Sequence, residues 1–185
     1  MSLQPRDALI AAGHKLARRL PLAEADADLV CEKARLPRAA FDELFPDFTA
    51  FLVALQQQFM DGLRDRIVGV TNGVAPGLMR VKLATEVYLE ACIAHLPLRG
   101  WLLEARRKHE LSDSLQRQNQ VYGLLISSDL QAAGWPDPQA AARIYVAMAN
   151  EAALMEHRAG HAVAVVREAL SHFLDHAGPK RRDLG

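Results

Sequence analysis

Little in this chain points to catalysis, and the gaps narrow the field. Only two cysteines occur, Cys31 and Cys92, far apart and without metal-ligand or redox spacing. Each reads as a small buried hydrophobe rather than half of a secretory disulfide. There is no Gly-rich phosphate loop, no nucleophile elbow and no Cys–His pair at a recognisable spacing, so neither an enzyme nor a cofactor is expected. Asp42 and Glu43 are adjacent and point to different faces of a helix, which excludes a paired-carboxylate site. No stretch approaches the roughly 18 uninterrupted apolar residues of a membrane span. Residues 1–9 hold Arg6 and Asp7 instead of an apolar run, so no signal peptide is read. The expectation is a cytoplasmic protein with no membrane partner. Nor is there a charge excess. Lys plus Arg and Asp plus Glu each total 22, which advertises no polyanionic partner for the chain as a whole.

What is present is helical periodicity, without a convincing strand. Leu9, Ala12, Leu16 and Leu20 predict a first helix over about 6–20, ended by Pro21. Asp26 or Asp28 caps a short second helix reaching Ala34. After the break Arg35-Leu36-Pro37, a third short helix runs over about 38–45. From Phe48, apolar residues recur through Phe51, Leu52, Leu55, Phe59, Leu63, Ile67 and Val70, the clearest amphipathic helix in the chain. Asn72-Gly73 and Pro76-Gly77 mark a loop. Helices follow over about 78–95, with Pro97 as a break, then about 99–109 and about 112–133. Gly134-Trp135-Pro136 is a stop. Asp137 caps a helix that opens on Pro138 and carries Ile144, Met148, Ala152 and Met155 on one face; Gly160 ends it. The last helix alternates Val163, Val166, Leu170, Phe173 and Ala177 at spacings of three and four, the seam a helix offers to a partner helix.

Three short helices, one long connector and five further helices resemble the TetR family of transcriptional regulators. The stretch from Val30 through Ala34, Leu36, Phe41 and Phe45 to Phe48 resembles that family's helix-turn-helix, and Phe45-Pro46-Asp47 its junction into the fourth helix. Asp137-Pro138 with the Ala-rich helix behind it resembles the penultimate helix. The resemblance implies an all-α, TetR-like fold: a helix-turn-helix domain over 1–48, a helical effector-binding and dimerisation domain over 49–178, and a basic tail, 179–185, with Lys180, Arg181 and Arg182. It implies a homodimer that sets two third helices in successive major grooves, about 34–36 Å apart, and a small apolar effector. The implied DNA-binding positions are Arg18, Arg19, Arg35, Pro37, Arg38, Ala39, Ala40, Asp42 and Glu43. The implied ligand pocket draws on Tyr88, Cys92, His95, Trp101, Tyr122, Met148 and Asn150. The implied dimer interface is Met155, Val163, Val166, Leu170 and Phe173.

The third helix departs from the family pattern. Pro37, Ala40, Asp42, Leu44 and Phe48 stand where side-chain donors to phosphate are usual, and none of them can donate at neutral pH. Over 1–48, seven basic residues stand against eight acidic ones, a net charge of −1. Phosphate neutralisation supplies most non-specific affinity for DNA. Two readings follow: a DNA-binding, ligand-responsive regulator, or the same fold serving as a small-molecule, lipid or protein-interaction module without DNA. His157 and His161 are four apart, as are His172 and His176, so each pair could share a helical face. Gly160 interrupts the first pair and nothing nearby completes the second, so no metal is expected.

Overall fold

The computed structural model of the protein describes residues 4–106 and 109–178. Among these residues the chain forms α1 (Pro5–Ala17), a 3-10 turn (Leu22–Glu24), α2 (Ala27–Ala34), α3 (Arg38–Leu44), α4 (Phe48–Thr71), α5 (Leu78–Ala94), α6 (Leu96–Ala105), α7 (His109–Ala132), α8 (Pro138–Ala159) and α9 (Ala164–His176). The basic tail expected at 179–185 lies outside the described residues. No described helix is long and apolar enough to cross a membrane.

Most ends follow from punctuation in the sequence, and the exceptions have backbone causes. α1 stops at Ala17, before Leu20, because the Leu16 carbonyl accepts from both Arg19 and Leu20 N–H and tightens the chain into a turn. Asp26 caps α2, its carboxylate accepting from Leu29 N–H at 2.8 Å, which leaves Asp28 free for other work. Asp47 caps α4 in the same way through Ala50 N–H. Pro97 does not separate two helices as expected. It sits in the first turn of α6, where its missing N–H costs nothing, and the break falls two residues earlier at His95. Asp137 and Gly160 bound α8 as read from the sequence.

Packing divides the chain into two compact units, Met1–Gly62 with His95–Leu115, and Leu63–Ala94 with Gln116–Gly185. The expected functional boundary at residue 48 therefore falls inside the first unit. In that unit α1 packs on α2, α3 and α6, and α2 packs on α3. The core holds Leu9, Val30, Phe41, Phe51, Leu52 and Leu55, each essentially without exposed surface. Burial of each such side chain contributes about 1.5–3 kcal/mol. Gly13 permits a close approach: a Cβ there would lie 2.8 Å from Phe51 Cζ. Trp101 is buried, and its indole N–H donates to the Leu20 carbonyl at 2.9 Å, satisfying an acceptor beyond the end of α1.

In the second unit α5 packs on α8 and α9, and α8 on α9. Ala142, Ala149, Ala152 and Ala153 give α8 a small-residue buried face, punctuated by Tyr145. The Tyr145 hydroxyl hydrogen-bonds to Thr85 at 2.9 Å, and burial pushes its phenol up to about 12. Gly77 takes a positive φ of 146° that suits only glycine, and its N–H donates to the buried Asp129 carboxylate, which also pairs with Arg80. The turn from α8 to α9 is organised by Glu156, which is fully buried. It accepts from Val163 N–H at 2.9 Å and from Arg167 at 2.7 and 3.0 Å, and Arg167 also pairs with Glu86 on α5.

Candidate nucleic-acid interface and ligand site

The α2–α3 corner is set by backbone chemistry at residue 35. Arg35 adopts a left-handed conformation, φ 58° and ψ 42°. Its N–H donates to the Glu32 carbonyl and Leu36 N–H to the Cys31 carbonyl, so α2 ends in a Schellman motif. An arginine there carries a steric cost of about 1–2 kcal/mol that glycine would not. Pro37 then holds extended backbone and α3 begins at Arg38.

An aromatic cluster fixes the angle. Phe41 lies 5.2 Å from Phe45 and 5.5 Å from Phe51 between ring centroids, and Phe48 lies 5.6 Å from Phe51. Such offset and edge contacts add about 0.5–1.5 kcal/mol per pair beyond burial. Phe41 and Phe45 are the inward anchors expected from the sequence; Leu36 is half-buried. α3 thus turns one face to the core and leaves Arg38, Ala39, Asp42, Glu43 and Leu44 exposed, with Ala40 half-buried. Arg18, Arg19, Arg35 and Pro37 are exposed as well.

The electrostatics centre on Arg38. Its Nη1 donates to Asp28 Oδ1 at 2.8 Å and its Nε to Asp42 Oδ1 at 2.9 Å. Its guanidinium carbon also lies 5.6 Å from the centre of the Phe41 ring. The hydrogen bonds to Asp28 and then Asp42 hold its proton more tightly than usual. Cys31, buried beneath this group, has its thiol pushed up by burial first, with Arg38 working the other way. Sequence reasoning named Arg38 and Asp42 separately and missed their joint clamp with Asp28. An Arg–Asp spacing of four on one helix was the available signal; Asp28 comes from another helix.

The expected ligand residues fall in both units. His95 and Trp101 belong to the first, where His95 stacks edge-on against Phe59 with centroids 5.5 Å apart. Tyr88, Cys92, Tyr122, Met148 and Asn150 belong to the second. There Tyr88 Oη donates to Asn150 Oδ1 at 2.8 Å, and Asn150 Nδ2 donates to Asn119 Oδ1 at 3.3 Å. Cys92 is buried, while Tyr88, Tyr122, Met148 and Asn150 are half-buried. A shallow cavity of about 290 Å³ in the first unit, lined by Pro46, Asp47, Thr49, Ala50, Val53 and Glu110, was not anticipated.

Of the expected interface residues, Met155 is exposed and Val163 and Val166 are half-buried. Leu170 is buried in its own unit, and Phe173 lies 5.7 Å from Trp135 and 6.2 Å from Tyr145, ring to ring. Ile144 and Val165 add exposed apolar surface to α8 and α9. Among the described residues no cluster of three or more His, Cys, Asp or Glu is arranged to hold a metal. His172 and His176 stack with centroids 3.9 Å apart on the exposed side of α9.

No family model matches this sequence, and no curated protein matches it. Solved structures do match in shape. The regulatory protein TetR of Rhodobacter sphaeroides superposes with a TM-score of 0.72 at 18% identity, over 94% of this chain and 98% of that one. The fatty acid degradation regulator FadR of Bacillus halodurans gives 0.74 at 14% identity, over 94% and 96%. A putative transcriptional regulator of Saccharomonospora viridis, solved in complex with choline, gives 0.71 at 16% identity, over 95% and 98%. Helix order and these superpositions agree that the chain has the fold of TetR-type transcriptional regulators.

Proposed function

We propose that the chain is a transcriptional regulator that binds DNA as a homodimer through α3 and responds to a small apolar ligand. The observation that carries this reading is the α2–α3 corner. A seven-residue helix is anchored by Phe41 against Phe45 and Phe51, and its opposite face is open to solvent. That is the arrangement by which a recognition helix enters a major groove. In this reading Arg18, Arg19 and Arg35 meet phosphates. Arg38, with Pro37, Ala39, Ala40, Asp42 and Glu43 around it, faces base edges. Exposed Ile144, Met155 and Val165, with Val163 and Val166, supply an isologous interface between the last two helices of each protomer. The proposed ligand site lies in the second unit, where the hydrogen-bonded Tyr88–Asn150–Asn119 chain offers a few oriented polar groups. The choline complex of the Saccharomonospora regulator supports a small molecule in this fold. The role is non-catalytic and the setting cytoplasmic. An electrophoretic shift of the DNA flanking its own gene, at low salt where electrostatic attraction is strongest, tests the reading; absence of any shift would overturn it.

A second reading is favoured by one observation. The 1–48 segment carries a net charge of −1, so the fold could act without DNA, holding a small molecule or lipid or docking a protein. Native mass spectrometry of protein taken from cells separates the two. A co-purifying hydrophobic ligand together with no DNA shift selects the second.

A further inference from the structure

The Arg38 clamp is unusual for a surface ion pair. All three members are exposed, with side-chain exposures of 51% for Arg38, 75% for Asp28 and 57% for Asp42. Exposed pairs add little to stability, so folding gives no strong reason for a guanidinium to hold two carboxylates at once. The geometry nevertheless fixes it from three sides: Asp28 from α2, Asp42 from one turn along α3, and the Phe41 ring against its carbon. A guanidinium has five N–H donors. Two are engaged here, which leaves three directed elsewhere. Each carboxylate engages Arg38 through Oδ1 and keeps Oδ2 as an acceptor.

Charge then decides what this group can meet. One guanidinium and two carboxylates carry a net charge of −1, which repels a phosphate. A base edge is neutral, so that penalty is absent. In the major groove guanine presents two acceptors, O6 and N7, and its cytosine partner presents the N4 amine as a donor. Arg38 donors beside Asp acceptors match that pattern. Adenine sets its N6 amine against the Arg38 donors, and thymine O4 sets an acceptor against the carboxylates, so A·T is disfavoured on both strands.

We propose that Asp28 and Asp42 convert Arg38 from a phosphate contact into a reader of one G·C base pair in each half-site. This rests on the DNA-binding reading above. Phosphate attraction is left to Arg18, Arg19 and Arg35, and the clamp spends affinity for arbitrary DNA to gain discrimination.

The test uses the purified full chain. Binding selection from a random-sequence duplex pool reads base preference by position, and fluorescence anisotropy follows on the selected duplex and on a scrambled one. The wild type is expected to select G·C at one fixed position per half-site. Arg38→Ala should lose that preference by roughly 5- to 150-fold, the range for a bidentate base contact. The double change Asp28→Asn, Asp42→Asn should weaken the preference while strengthening binding to the scrambled duplex. The salt dependence should steepen by about one in log–log slope, as a freed guanidinium takes a phosphate. Adding Arg38→Ala to that double change should abolish the gain. Glu32→Gln, which removes a charge from α2 outside the clamp, should leave the G·C preference intact. A preference that survives Arg38→Ala, or one that the double Asn change leaves at full strength, overturns the clamp while DNA binding stands. So does a wild type that binds every duplex equally. A chain that binds no duplex at low salt overturns both.

Discussion

Replacing Glu156 by Gln asks how much one buried carboxylate holds in place. Glu156 is fully buried and accepts three hydrogen bonds, from Val163 N–H and from Arg167 Nε and Nη2. Glutamine keeps the shape but offers one oxygen and one amide donor. The amide faces Arg167 N–H groups, so at least one hydrogen bond is replaced by a donor–donor contact. Hydrogen bonds to charged groups are worth about 1.5–3 kcal/mol each, and removing one partner of a buried pair costs about 3–5 kcal/mol. Arg167 keeps Glu86, so the lower end applies, about 3 kcal/mol. With a urea slope of about 2 kcal/mol per molar, the midpoint followed by far-ultraviolet circular dichroism should fall by roughly 1.5 M. The pH dependence supplies a second readout. Burial alone would raise the Glu156 carboxyl, but the Arg167 hydrogen bonds and then Val163 N–H outweigh it and leave it below its ordinary 4.5. A depressed carboxyl stabilises the folded state above its ordinary value and loses that contribution as pH falls through the folded one. The gap between wild type and variant should therefore hold steady from pH 7 to about 5 and shrink below 4.5. A loss under about 1 kcal/mol at pH 7, or a gap that does not change on acidification, would refute the argument.

Other outcomes follow from the same structure. Phe41→Ala should destabilise by about 3–5 kcal/mol in urea unfolding, because a large buried ring leaves a cavity between Phe45 and Phe51; a cost near zero would mean that the corner does not depend on it. Arg35→Gly should raise the thermal midpoint, since glycine relieves a left-handed strain of about 1–2 kcal/mol, and an unchanged or lower midpoint would count against strain at that corner. Val165→Asp, at a side chain 69% exposed, should leave folding intact but shift the mass measured by light scattering from dimer to monomer. A dimer that persists would move the proposed interface elsewhere.

Much of the fold was legible in the sequence because helix ends are local events. Asp26, Asp137, Gly160 and Pro138 act within a turn of themselves, so they can be read without knowing what packs where. The inward roles of Phe41 and Phe45 were implied by the resemblance of that stretch to the TetR helix-turn-helix, and both side chains are buried. The expected end of α1 and start of α6 missed for equally local reasons: a tightened turn at Leu16, and a proline tolerated in a first turn.

What sequence alone determined, then, was an all-helical chain with a short, sharply turned third helix and an apolar repeat along its longer helices. Periodicity reports which side of a helix is greasy, not what lies against it. Only the tertiary structure decided the partners. It brought Asp28 across from α2 to Arg38, sealed Glu156 beneath Arg167, put Gly13 against Phe51, and turned Leu170 into the interior of its own unit. Each depends on the angle and spacing between helices distant in sequence, which side-chain packing sets and no local pattern encodes.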